Sequence, residues 1–126
     1  MRWRPLPWHA MAGAIPLLLA GAHAFAHAHA EASEVEVRTF AFSPDTLHVE
    51  AGMRIRWTNR DAIEHTITWG TPDERDDRLA SGTLVSASAT HTATPPAAGW
   101  YRYFCDRHQF MRGVVIVTSP GERTNG

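Results

Sequence analysis

The sequence predicts an all-β sandwich or barrel of seven to eight short strands in a single domain. Three observations lead there. Apolar residues alternate with polar ones at period two in short runs, the pattern of half-buried strands. Turn residues separate these runs at close spacing, as in Ser43-Pro44-Asp45, Ala51-Gly52 and Pro95-Pro96-Ala97-Ala98-Gly99. The sequence has no convincing helical period, internal repeat or nucleotide-binding loop.

The first quarter of the 126 residues stands outside this pattern. Arg2 and Arg4 precede an apolar run from Ala10 to Ala22, and small-x-small sites follow, ending at Ala24, Ala26, Ala28 and Ala30. That is the layout of a secretory signal peptide. The run is 13 residues long and contains Gly13, Pro16 and Gly21, short of the roughly 18 to 20 residues of a membrane span. We expect a signal over residues 1–24, cleaved between 24 and 30, and a soluble periplasmic product. Residues 25–33 read as a flexible arm carrying His27 and His29, 34–118 as the domain, and 119–126 as a polar, disordered tail. Cleavage after Ala24 would leave Phe25-Ala26-His27 with an amine, two amides and an imidazole for Cu(II); the plain alternative is a spacer.

Composition narrows the function classes. All 12 basic residues are arginine, against 13 acidic ones, and loss of Arg2 and Arg4 leaves a net charge of about −3. This balance gives no reason to expect a nucleic acid or an anionic membrane as partner. One cysteine excludes an internal disulfide. A lone thiol in an exported protein is protected either by metal ligation or by burial as a small hydrophobe.

The elements follow in order. Val35, Val37 and Thr39 share one strand face, and Phe40 and Phe42 fall on the other parity, which predicts a bulge or bend near Thr39-Phe40. Thr46–Glu50 is a second strand. In the third, Met53, Ile55 and Trp57 point inward while Arg54 and Arg56 point out. Residues 59–62 form a loop, and in the strand from Glu64 to Trp69 His65 shares the apolar face with Ile67 and Trp69. Such a histidine is either a satisfied rim residue or a ligand. Gly70 to Asp77 reads as a solvated acidic loop. Leu79–Leu84 and Ser88–Thr94 are weaker strands, Trp100–Cys105 a strong one, and Gly113–Thr118 the last.

Between the final two strands, Cys105, His108 and Met111 recur at intervals of three. A chain turning with about three residues per turn brings such positions to one side. Thiolate, imidazole and thioether together suit copper cycling between Cu(I) and Cu(II). Zinc competes for the cysteine and histidine, but a thioether is a poor zinc ligand. A tight loop cannot surround an ion, so a fourth donor has to come from a distant strand, and His65 is the candidate. His48 and His91 have no ligand-like pairing.

Pro44, Gly52, Trp57-Thr58-Asn59, His65, Gly99, Tyr101-x-Tyr103, Cys105-x-x-His108-x-x-Met111 and Gly113 together resemble the cupredoxins, the small blue-copper proteins. The short Cys-x-x-His-x-x-Met-Arg-Gly ending is most similar to the amicyanin rather than the plastocyanin type. The likeness runs from about Val35 to Val117. It implies a Greek-key β-sandwich with one type 1 copper, His65, Cys105 and His108 as trigonal ligands and Met111 as weak axial ligand. It further implies a non-enzymatic monomer passing single electrons between redox proteins, such as a c-type cytochrome, a dehydrogenase or an oxidase. A copper-binding or copper-delivery protein is the alternative reading.

The sequence departs from the family at three positions. Arg107 and Gln109 stand where amicyanin-like loops carry proline, and we expect the restored Arg107 N–H to donate to the Cys105 sulfur. Thr66 replaces the usual asparagine after the first histidine, with Asp106 as its expected linking partner. Electrons would pass through the edge of His108, with Phe110 as apolar contact. Arg60, Arg107 and Arg112 make a positive rim that would favour an acidic partner surface. Mass spectrometry of the exported protein is expected to find a mature start just after Ala24, Ala26, Ala28 or Ala30; a retained Met1 would rule out the export reading.

Overall fold

The computed structural model describes residues 32–122; the expected signal, its cleavage sites, His27, His29 and the end of the tail lie outside them. Nine strands form two sheets: β1 (Ser33–Arg38), β2 (Ala41–Ser43), β3 (Thr46–Glu50), β4 (Ile55–Asn59), β5 (His65–Trp69), β6 (Gly82–Leu84), β7 (Thr90–Ala93), β8 (Gly99–Phe104) and β9 (Arg112–Thr118). One sheet has the order β2-β1-β4-β7 and the other β3-β9-β8-β5-β6. The all-β sandwich expected from the alternating runs is therefore present, and no helix occurs among the described residues. The strand beyond the eight named from the sequence is β2, three residues long, and β6 keeps only the last three residues of the expected Leu79–Leu84.

Pairing is mixed. β1 runs parallel to β4 and β3 parallel to β9, while the remaining ladders are antiparallel. The parallel pairs are possible because each joins strands separated in sequence by at least one other strand. The change of parity at Thr39-Phe40 has a different cause from the expected bulge. Arg38 pairs with Ala41, so Thr39 and Phe40 are the two-residue tip of a hairpin. Their φ values are 52° and 55°, the left-handed region that such a tip demands and that Asn or Gly usually supplies. Met53 also falls short of the expected strand, which begins at Ile55.

The core follows the predicted parity: Val35, Val37, Ile55, Trp57, Ile67, Trp69, Tyr101 and Tyr103 are buried between the sheets. Trp57, Trp69 and Tyr103 meet mutually edge-to-face, each pair with centroids 5.5 Å apart. Pairs of this kind add about 0.5–1.5 kcal/mol each beyond their buried area. The Tyr101 hydroxyl donates to the Ala97 carbonyl at 2.9 Å, closing the turn before β8. Tyr103 differs, because its hydroxyl has no hydrogen-bond partner among the described residues, and neither has Trp57 Nε1. Burial pushes the Tyr103 phenol far above its ordinary range, and the neighbouring Trp57 offsets part of that.

Tyr103 also explains Gly113. These two residues pair across β8 and β9, and any Cβ at 113 would collide with the phenol ring. In urea unfolding of the metal-free protein, Gly113→Ala is expected to cost about 1–3 kcal/mol from overpacking. Tyr103→Phe should leave stability within about 1 kcal/mol or raise it, since the hydroxyl it removes is buried and unpaired. A clear loss in Tyr103→Phe would reveal a hidden partner.

Candidate metal centre

The site is assembled by backbone before any side chain is considered. β8 ends at Phe104, and the chain then turns twice in steps of three: the His108 amide donates to the Cys105 carbonyl at 3.2 Å and the Met111 amide to the His108 carbonyl at 2.8 Å. The Cys105 amide closes the loop on the Met111 carbonyl at 3.1 Å. The three-residue spacing of the donors is thus the spacing of these hydrogen bonds, as the sequence suggested. Cys105 and Met111 are buried, and His108 is half-buried at the surface.

His65 comes from the neighbouring strand. β5 pairs with β8 at Thr68↔Phe104 and Trp69↔Tyr103, which brings the start of β5 alongside the loop that follows β8. His65 is fully buried, inward with Ile67 and Trp69. Cys105 Sγ lies 3.8 Å from His65 Nδ1 and 3.6 Å from His108 Nδ1, and the three ligand atoms all fall within 4.8 Å of one another. Donors around one ion with bonds of about 2.0 Å to nitrogen and 2.3 Å to sulfur would stand roughly 3.5–3.7 Å apart. The donor set therefore fits a single metal ion, and a buried thiol with two imidazoles, on a loop that Met111 closes, fits copper. Of the four candidates, the structure brings His65, Cys105 and His108 together, and Met111 closes the same loop.

The surroundings differ from expectation in instructive ways. The amide that reaches Cys105 Sγ among the described residues is that of Thr66, at 3.4 Å, and not that of Arg107. Arg107 instead pairs through its side chain with Glu64. The link between the ligand loops is present: the Asp106 amide donates to Thr66 Oγ1 at 2.7 Å, and Thr66 Oγ1 also contacts Thr68 Oγ1 at 2.9 Å. The loop after β5 is no bare solvated excursion. From it Arg75 reaches back to Asp106 at 2.9 Å and lies 4.8 Å over the Phe104 ring.

Two supports escaped the sequence reading. Asn59, wholly buried at the end of β4, donates to the carbonyls of Ile63 at 2.8 Å and Leu84 at 3.3 Å, and accepts from the Asp61 amide at 2.9 Å. It shapes the loop from which His65 emerges. Asp61 Oδ2 lies 2.8 Å from His65 Nε2. A carboxylate only accepts, so Nε2 carries the proton and the Nδ1 lone pair faces the sulfur. Partial burial alone would raise the Asp61 carboxyl, but hydrogen bonds from Thr39, Phe40 and His65 together hold it below the usual carboxylate range. The only sequence signal for either residue was the motif Trp57-Thr58-Asn59, read as part of a resemblance and not as a joint.

Comparison with known proteins agrees with this site. The profile of the family described as Cupredoxin-like domain matches residues 9–117. The chain is 32% identical over 78 residues to amicyanin-alpha of Methylorubrum extorquens, spanning 60% of this chain and 63% of that protein. It is 35% identical over 86 residues to the chloroplastic plastocyanin of Tetradesmus obliquus, spanning 60% of this chain and 57% of that protein. The match thus spans less than two thirds of the length of these curated relatives. Among solved structures, the reduced state of an amicyanin mutant superposes with a TM-score of 0.61 at 29% identity, over 69% of this chain and 82% of that one. A family match across most of the sequence and a shared β-sandwich, with His65, Cys105 and His108 gathered at one end of it, lead to one conclusion: the chain belongs to the cupredoxin-like family.

Proposed function

We propose that this domain is a one-electron carrier in which His65, Cys105 and His108 would hold a single type 1 copper, with Met111 as the weak fourth ligand. The observation that carries the reading is the fully buried Cys105 thiol facing the Nδ1 atoms of two histidines, one buried and one at the surface. Copper bound there supplies the Cu(I)/Cu(II) couple. The side chains do the rest. The four donors leave no open position for a substrate, so the site is assigned to electron transfer and not to catalysis. The Thr66 amide on the sulfur and the Thr66–Asp106 link hold the thiolate against movement when its charge changes.

The electron's exit is the half-buried edge of His108. Around it stand exposed apolar side chains: Phe110 at 72% exposure, Phe40 at 44% and, at the same end beside the His65 loop, Ile63 at 42%. Phe40 and Phe110 lie 5.0 and 6.1 Å from the His108 ring. The expected positive rim is partly offset: Arg107 pairs with Glu64, and Arg60 pairs at 3.1 Å with Glu36, a carboxylate that also holds Arg38 at 2.8 Å. Arg112 spends its Nε on the Gln109 carbonyl and has no carboxylate partner among the described residues. We therefore assign docking to apolar contact with a redox protein outside the cytoplasm. Such a surface excludes water over the exposed imidazole without strong steering.

Two measurements test this. Loading the purified mature protein with Cu(II) is expected to give an intense blue thiolate-to-copper band and a type 1 EPR signal, both lost in Cys105→Ala. A colourless, zinc-loaded protein would overturn the reading. Reduction by a physiological partner should change less than about tenfold between ~0.01 and 0.15 M ionic strength, below the 10–10³ range of strongly steered pairs. A steeper dependence would restore the charged rim to the leading role.

A further inference from the structure

Asp61 makes more contacts with the metal end than its place in a surface loop suggests. Its Oδ1 accepts the Thr39 amide at 2.7 Å, and its Oδ2 accepts both the Phe40 amide at 3.1 Å and His65 Nε2–H at 2.8 Å. The first two donors belong to the hairpin tip between β1 and β2, where both residues have positive φ. Neither a β-branched threonine nor a phenylalanine adopts that conformation readily, and neither can cap its own tip as Asn would. The carboxylate supplies the missing acceptor. With the tip held, the Phe40 ring stands edge-on to both imidazoles, 5.6 Å from His65 and 5.0 Å from His108. Asp61 is itself fixed by its amide on Asn59 Oδ1.

We propose that Asp61 is a positioning residue for the metal couple: one carboxylate fixes His65 as the Nδ1 donor and, through the Thr39–Phe40 tip, seats Phe40 across both histidines. This inference rests on the copper reading above. An anionic acceptor makes the imidazole a stronger donor than a neutral one does, and it places negative charge near the ion. Both effects favour Cu(II) over Cu(I). The carboxylate therefore lowers the potential of this protein relative to the same site with a neutral acceptor.

The test uses the copper-loaded protein and the metal-free protein side by side. In Asp61→Asn, affinity for Cu(II) is expected to fall about tenfold relative to Cu(I), read as a rise in potential of about 59 mV for one electron. The metal-free variant should also melt at a lower temperature, because the tip loses an acceptor. Adding Thr39→Gly relieves the tip and should recover the melting temperature while leaving the potential raised. An unchanged potential in Asp61→Asn overturns the proposal, as does a potential that Thr39→Gly restores, since the shift would then be a consequence of a loosened turn. Nitrogen NMR of His65 in the metal-free protein separates this idea from the copper assignment. The wild type should carry its proton on Nε2; a proton on Nδ1 overturns the proposal whether or not copper binds. A wild type without the thiolate band, but with the Nε2 proton, would defeat the copper reading alone.

Discussion

The register between β5 and β8 is the constraint on which the metal end depends. Only two residue pairs define that ladder, Thr68↔Phe104 and Trp69↔Tyr103. A slip of one residue would turn His65, Ile67 and Trp69 to the opposite face and leave Cys105 without its buried imidazole. The register is secured from both ends. Toward the core, Trp69 packs edge-on to Tyr103 across the pair, with Trp57 against both. Toward the surface, Thr66 carries the pairing past the last ladder bond through its amide to Sγ and its hydroxyl to the Asp106 amide. The aromatic cluster thus does more than fill volume. It sets the position of a histidine several residues away.

Given that register, the ligand loop needs little from its side chains. Its shape comes from two backbone hydrogen bonds that each span three residues and a third, from Cys105 to Met111, that closes them, which leaves residues 106, 107 and 109 facing outward. That explains why the long side chains of Arg107 and Gln109 are accommodated there. The outward positions are used for bracing: Arg107 to Glu64 ties the loop to the residue before β5, and Arg75 to Asp106 ties it to the loop after β5. Both pairs are substantially exposed, so each contributes only a few tenths to about 1 kcal/mol. Their effect is on where the loop sits, and less on whether the domain folds.

The sandwich, the inward parity of His65 and the Cys-His-Met spacing were legible in the sequence because each is a local periodicity, of two in the strands and three in the loop. The tip at Thr39-Phe40 was half legible. The parity change was visible, but a bulge and a two-residue hairpin alter parity alike, and neither residue carries the Asn or Gly that would have told them apart. Asn59 and Asp61 were not legible as supports. Polar residues after a strand read as ordinary loop until the fold places a second hairpin and a second sheet edge within reach. The pairing of rim arginines was missed for a related reason, since Glu36 meets Arg60 across two strands, 24 residues away in sequence.

The uneven spacing of the donors along the chain bears on the order in which the molecule comes together. Cys105, His108 and Met111 lie within seven residues, so an unfolded chain brings them together at small entropic cost. His65 is forty residues earlier and reaches them only when β5 has docked on β8. A chain that meets copper while still extended would grasp it by the loop first and recruit the buried histidine last. The three near donors would thus be together before β5 docks, and His65 would join them as the second sheet is completed.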